Sequence, residues 1–174
     1  MFQYHSNLNA THPYSSTWKE WPLMVRPIWY YSNILSNTLR EGISSFGNPS
    51  VWWVGIPAFL HMLYLVIKKK DRTAVFLIIG YFAQYLPWFF VSRITFIYHY
   101  FPSVAFLVLM IAHSLMQFKK HCSAKFFTFI LCSYAVIAFG LFLLFYPVLS
   151  GQPIEAEFAI KHLRWLDTWV LIAG

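Results

Sequence analysis

The sequence predicts an all-α integral membrane protein with four spanning helices and an aromatic N-terminal segment ahead of them. Three observations carry that expectation. Of the 174 residues, 59% are hydrophobic and only 11% charged, against about 25% charged residues in an average soluble domain. Apolar runs of bilayer length recur at 49–67, 74–91, 94–116 and 126–149. The basic residues gather between these runs, with Lys68, Lys69, Lys70 and Arg72 after the first and Lys119, Lys120 and Lys125 after the third. The formal charge of +7 and the pI near 9.5 are therefore read as membrane topology, and no nucleic-acid partner is implied.

Residues 1–48 form the first region, mixed polar and aromatic and interrupted by Pro13, Pro22 and Pro27. Trp18, Trp21, Trp29, Tyr30 and Tyr31 suit the headgroup level, where an apolar ring body and a polar edge are both accommodated. Two alternatives are open for the second half of this region: 26–35 and 39–46 pair as a hairpin, or the latter forms a short surface helix. Nothing at the start resembles a signal peptide, which needs a basic beginning and an apolar core. An extracytoplasmic N-terminus without one suggests the C-terminal part of something larger, or one half of a split pair.

Asn48 and Pro49 predict a helix start, a capping side chain followed by proline where its missing N–H is harmless. At about 1.5 Å per residue the first run just crosses a hydrocarbon core of about 30 Å, with its terminal lysines snorkelling. Both basic loops fall on one side of a four-span arrangement, which the positive-inside rule makes cytoplasmic. The N-terminal region, the turn at 92–95 and the tail at 150–174 then face outward, and both termini are extracytoplasmic. Glu155, Glu157, Lys161, Arg164 and Asp167 among apolar residues make the tail an expected interfacial amphipathic element.

The stretch 92–106, SRITFIYHYFPSVAF, brings Arg93, Tyr98, His99 and Tyr100 into an otherwise apolar span. As a helix it places Arg93, Phe96 and Tyr100 on one face, and Pro102 frees the carbonyl of Tyr98. A charge at the bilayer centre costs about 2.5–3.5 kcal/mol on insertion scales, so such a residue sits near an interface or serves a site. The stretch is either one wall of a polar pocket or an interfacial anchor. His61, Gln84 and His113, inside other spans, are expected to hydrogen-bond between helices. Cys122 and Cys132 lack disulfide or zinc spacing, and no cluster of His, Asp or Glu has metal-ligand spacing.

The blocks HPYSSTWKEWPLMVRPIWYY (12–31), GNPSVWW (47–53) and SRITFIYHYFPSVAF (92–106), closed by YPVLSG (146–151) and LRWL (163–166), closely resemble the C-terminal four-span region of the protein O-mannosyltransferase family. Its members are C-type glycosyltransferases. One departure is Ala105, where the family pattern leads us to expect a proline. The resemblance implies transfer of mannose from dolichyl- or polyprenyl-phosphate mannose to Ser or Thr of an acceptor protein, with inversion at the sugar and no cofactor. It places the protein in the plasma membrane of a bacterium, or otherwise in the ER membrane. The family's acidic pair belongs to a loop far N-terminal to this region, so no catalytic residue is assigned and a separate N-terminal catalytic half is an implied partner.

Glu20, the sole acid within these outward blocks, is read as a structural carboxylate. Arg93 and Arg26 are the candidates for the lipid phosphate, since guanidinium offers forked donors and stays charged. His12, Tyr14, Tyr98, His99 and Tyr100 are candidates for hydrogen bonds to sugar or phosphate, and Trp18 and Trp21 for stacking on sugar or lining a lipid entrance. Arg26 has the alternative of pairing with a carbonyl, and the tryptophans that of anchoring at the interface. The competing reading is a non-catalytic scaffold subunit or inactive fragment of the family; a transporter is disfavoured by the lack of repeats or paired intramembrane charges.

Overall fold

The structure, a computed structural model, describes residues 11–173. The first ten residues, and with them the reading of the chain's start, lie outside it. Four helices are long and apolar enough to cross a membrane, Pro49–Lys69, Arg72–Phe90, Ile97–Lys119 and Ala124–Ser150. The chain divides into two compact units. One takes residues up to Gly47, Phe90–His99 and Phe142 onward; the other takes Asn48–Phe89 and Tyr100–Leu141.

The second unit is built around helices α1 (Pro49–Tyr64), α2 (Arg72–Tyr85) and α3 (Phe101–Lys119). Asn48 caps α1, its side chain accepting the Ser50 N–H at 3.0 Å, and Pro49 opens the first turn. A π-helical turn, Leu65–Lys69, finishes the first span. Asp71 then caps α2 by accepting the Ala74 N–H at 3.0 Å. Small residues allow close approach, as membrane helices require where apolar burial gives no net drive. Gly55 lies directly against Leu107, and Gly80 against the ring of Phe106. Trp52, Met62, Leu77, Tyr81, Tyr100, Leu107 and Met110 form the interior.

Helix α4 (Ala124–Ser150) is much less covered, and within the unit it is tied to the start of α1 by polar bonds. Asn48 Nδ2 donates to the Ala138 carbonyl at 2.8 Å, and the Tyr134 hydroxyl donates to the Ser50 carbonyl at 3.2 Å. Its outward residues, Phe129, Val136, Ile137 and Phe139, are apolar and exposed, the pattern of a lipid-facing surface rather than of a soluble helix.

In the first unit, the stretch left open between hairpin and surface helix is a hairpin. Strands β1 (Ile28–Ile34) and β2 (Leu39–Ser45) pair antiparallel, with a register shift between Trp29 and Tyr31. A short β3 (Ile154–Glu155) adds to β2. After α4, Gly151 takes a left-handed conformation (φ 79°), and the N–H groups of Gly151 and Gln152 both reach the Pro147 carbonyl. Glycine relieves the steric penalty of that turn.

The tail exposes Glu155, Glu157, Lys161, Arg164 and Asp167 and turns apolar residues inward. A short helix α5 (Ala156–Phe158) and a π-helical turn (Ala159–Leu163) lead into a segment whose Leu163, Trp169, Leu171 and Ile172 are buried. They form a core with Trp21, Met24, Phe46, Phe145 and Val148. Trp169 Nε1 donates to the Met24 carbonyl at 2.8 Å, and Thr168 Oγ1 donates to that of Val25. Burial of these large side chains holds the tail against the rest of the unit while its charges stay exposed.

Candidate substrate-binding site

The third span, expected from Ile94 after a turn at 92–95, begins a few residues later. Residues 91–96 are non-helical, a 3-10 turn covers Ile97–Tyr100, and α3 starts at Phe101. Pro102 therefore sits in the first turn of α3, where its absent N–H is harmless, and does not break a ladder at Tyr98. The reason is a long-range bond. Ser16 donates its N–H to the Thr95 carbonyl at 2.9 Å, and Thr95 Oγ1 donates to the Ser16 carbonyl at 2.7 Å. Both residues are buried, so this pair of hydrogen bonds holds 92–96 against the N-terminal segment.

The clamp gathers rings from both segments within the first unit. The His12 ring meets Phe96 edge-on with centroids 5.1 Å apart. His99 lies between Tyr98, stacked at 4.3 Å, and Trp21, stacked at 5.9 Å. The His99 ring is oriented by its own turn, with Nδ1 2.9 Å from the Phe96 carbonyl and 3.2 Å from the Phe96 N–H, which leaves Nε2 outside these backbone contacts. Arg93 is exposed and electrostatically coupled to His99. Tyr30 of β1 lies near Tyr98; partial burial first, and Tyr98 second, push its phenol above the ordinary value.

The remaining candidates divide. Arg26 is half-buried and donates Nη1 to the Pro13 carbonyl at 2.9 Å, the local pairing that was its alternative. Tyr14 packs edge-on against Trp29, and Lys19 Nζ sits 5.7 Å from the centroid of the half-buried Trp18 ring. Trp21 is fully buried, with Nε1 donating to Ser16 Oγ at 3.0 Å. Its indole supports His99 and presents no face for a sugar. Tyr100 departs further. It belongs to the second unit, is 1% exposed, and shares a 2.7 Å hydroxyl contact with Tyr81 beside Trp52 and Tyr85. A phenol so enclosed serves helix packing.

Glu20 Oε2 accepts the N–H of Thr17 at 2.6 Å and its hydroxyl at 2.7 Å. This carboxylate closes a local turn. Ser16 and Thr95 were missed by the sequence reading, because their importance lies in pairing 79 residues apart and neither carries a charge or a ring. The surface that results has an exposed guanidinium, two imidazoles and an exposed phenol among aromatic walls. Such groups bind anions and hydroxyls through charge-assisted and neutral hydrogen bonds.

Four bilayer-length helices define a multi-pass membrane protein, with this cationic, aromatic surface as its candidate site. Residues 1–169 match the family model of the C-terminal four TMM region of protein-O-mannosyltransferase, and the chain belongs to that family. It is 28% identical over 99% of its length to protein O-mannosyltransferase 1 of Drosophila pseudoobscura pseudoobscura. It is 27% identical over 97% of its length to the polyprenol-phosphate-mannose protein mannosyltransferase of Mycolicibacterium smegmatis. The chain spans 22% of the former and 36% of the latter. Its fold matches that of a chain in the S. cerevisiae protein O-mannosyltransferase Pmt1-Pmt2 complex bound to the sugar donor, with a TM-score of 0.81 at 22% identity, over 97% of this chain and 25% of that one.

Proposed function

We propose that this chain supplies part of the donor and acceptor surface of a membrane glycosyltransferase that moves mannose from a polyprenyl- or dolichyl-phosphate carrier to Ser or Thr of proteins. The observation that supports it most is the Ser16–Thr95 clamp, which sets His12, Arg93, Tyr98 and His99 within one unit. Arg93 binds the carrier phosphate, and the imidazoles and Tyr98 hydrogen-bond phosphate or sugar. Arg26, with Tyr14 and Trp18, shapes the segment that carries His12. The proton-accepting carboxylate comes from the N-terminal part of the enzyme, in the same chain or in a partner subunit. In this reading the first unit faces away from the cytoplasm, in the plasma membrane of a bacterium or in the ER.

Arg93→Ala in the assembled enzyme tests the assignment. A hydrogen bond to a charged group contributes about 1.5–3 kcal/mol, so donor binding is expected to weaken roughly 10- to 150-fold, with turnover at limiting donor falling in parallel. Unchanged donor binding and turnover would overturn it. If the carboxylate-bearing half never assembles with the chain and no transfer is seen, the scaffold reading replaces it.

A further inference from the structure

A basic cavity of about 610 Å³ lies in the second unit, where the first span ends and α3 finishes. It is large enough for a small-ligand site, and none of its lining residues belongs to the candidate substrate-binding set. Lys69, Lys120, His61 and His121 line it, together with Asp71 and Gln117. The one carboxylate is already engaged within the protein. Asp71 Oδ1 accepts the Ala74 N–H, while Oδ2 faces His113 Nε2 at 3.1 Å and accepts from Gln117 Nε2 at 3.2 Å.

The lysines are not so neutralised. Among the described residues the ion pair is His113–Asp71, and neither Lys69 nor Lys120 has a carboxylate partner. Lys120 Nζ donates to Gln117 Oε1 at 2.8 Å, which positions it while leaving ammonium N–H groups for another acceptor. Lys68, Lys70, Arg72, Lys119 and Lys125 add positive charge near these helix ends, and Asp71 is the unit's sole acid. Leu65, Tyr64 and Phe118 supply apolar wall beside the cations. The cavity thus offers unneutralised cations next to hydrocarbon-compatible surface, at the ends of bilayer-length helices.

We propose that this cavity binds the phosphate of an anionic membrane phospholipid, held by Lys69 and Lys120, with the glycerol and upper acyl chain against Leu65 and Phe118. The ligand chemistry is a phosphate group; the apolar wall and the position favour a lipid over free phosphate.

The purified chain in detergent is titrated separately with short-chain phosphatidylglycerol, phosphatidylcholine and inorganic phosphate, and bound ligand is read by native mass spectrometry. Phosphatidylglycerol is expected to bind more tightly than phosphatidylcholine. A Lys69→Ala/Lys120→Ala variant is expected to lose about 30-fold in phosphatidylglycerol affinity, roughly fivefold per lysine. The Lys69→Arg/Lys120→Arg variant keeps most of it, and Lys161→Ala leaves it unchanged. Equal binding of both lipids, or an alanine variant that binds phosphatidylglycerol as well as the parent, overturns the proposal. Binding of inorganic phosphate without phosphatidylglycerol overturns the lipid as its source.

Discussion

Asp71 Oδ2 lies 3.1 Å from His113 Nε2, joining the loop between the first two spans to the middle of α3's last turns. The same carboxylate caps α2 through the Ala74 N–H. One side chain thereby fixes both where α2 begins and which part of α3 it meets. The Ala74 amide most of all, against the opposing effect of burial and with further help from His113, holds the Asp71 carboxyl below its ordinary value.

A depressed folded-state pKa stabilises the fold above the unfolded value, near 4 for aspartate, and that contribution disappears as pH falls through the folded value. The parent's thermal midpoint is therefore expected to carry an acid-limb loss below about pH 4 that Asp71→Asn lacks, since asparagine keeps a cap but does not titrate. Midpoints compared between pH 7 and pH 3 check this; parallel curves for the two proteins count against it. Asp71→Ala, which removes the cap as well, is expected to destabilise by about 1 kcal/mol or more at pH 7.

Thr95→Val removes the hydroxyl that reaches the Ser16 carbonyl while keeping side-chain shape. A net loss of about 1 kcal/mol is expected, accompanied by faster amide exchange over 92–96 than in the parent. In the assembled enzyme the same change is expected to weaken donor binding less than Arg93→Ala, because it loosens the segment without removing the cation. Amide exchange and donor titration together separate the two effects. Undisturbed exchange over 92–96 would show that the clamp does not order the segment.

The helical spans were legible because bilayer-length apolar runs and the Asn48–Pro49 start are local signals. The start of the third was not. The span was expected from Ile94, and the bond from Thr95 to Ser16, far away in the chain, delays it to Ile97. In the tail, exposed Glu155, Lys161 and Arg164 mark an amphipathic element, but its partners were not legible: Ser44 Oγ donates to the Val170 carbonyl at 3.3 Å and Leu171 packs against Gly42. Among the candidate rings, Tyr98 and Tyr100 are near neighbours of identical chemistry, and packing alone leaves one exposed and buries the other. His61 meets Ser114 Oγ at 2.9 Å and His113 meets Asp71, as interhelical hydrogen bonding requires, whereas the Gln84 side chain is exposed and makes no hydrogen bond among the described residues.

The two tryptophans expected to serve substrate are predicted to separate on mutation. Trp21 is fully buried against His99, so Trp21→Ala is expected to destabilise the protein by about 3–5 kcal/mol. Trp18 is only half-buried, and Trp18→Ala is expected to cost less than about 1 kcal/mol. Far-UV circular dichroism through a thermal ramp measures both. Donor affinity, measured below either midpoint, then shows whether Trp18 contributes to binding. Equal destabilisation by the two changes would contradict the burial that divides them.

The Gly55 contact sets the closest approach between α1 and α3 at that level of the bundle. A Cβ at Gly55 would lie 2.8 Å from Leu107 Cδ1 and 3.1 Å from its Cβ, so Gly55→Val forces Leu107 or the helix itself to move. Overpacking of this kind destabilises by about 1–3 kcal/mol. If Leu107 is the obstacle, Leu107→Ala supplies the missing space, and the valine substitution becomes much less harmful in that background. The double-mutant cycle, read from detergent-unfolding midpoints, is expected to give a coupling of about 1 kcal/mol or more. Additive effects would place the strain in the α1 backbone instead of at the helix contact.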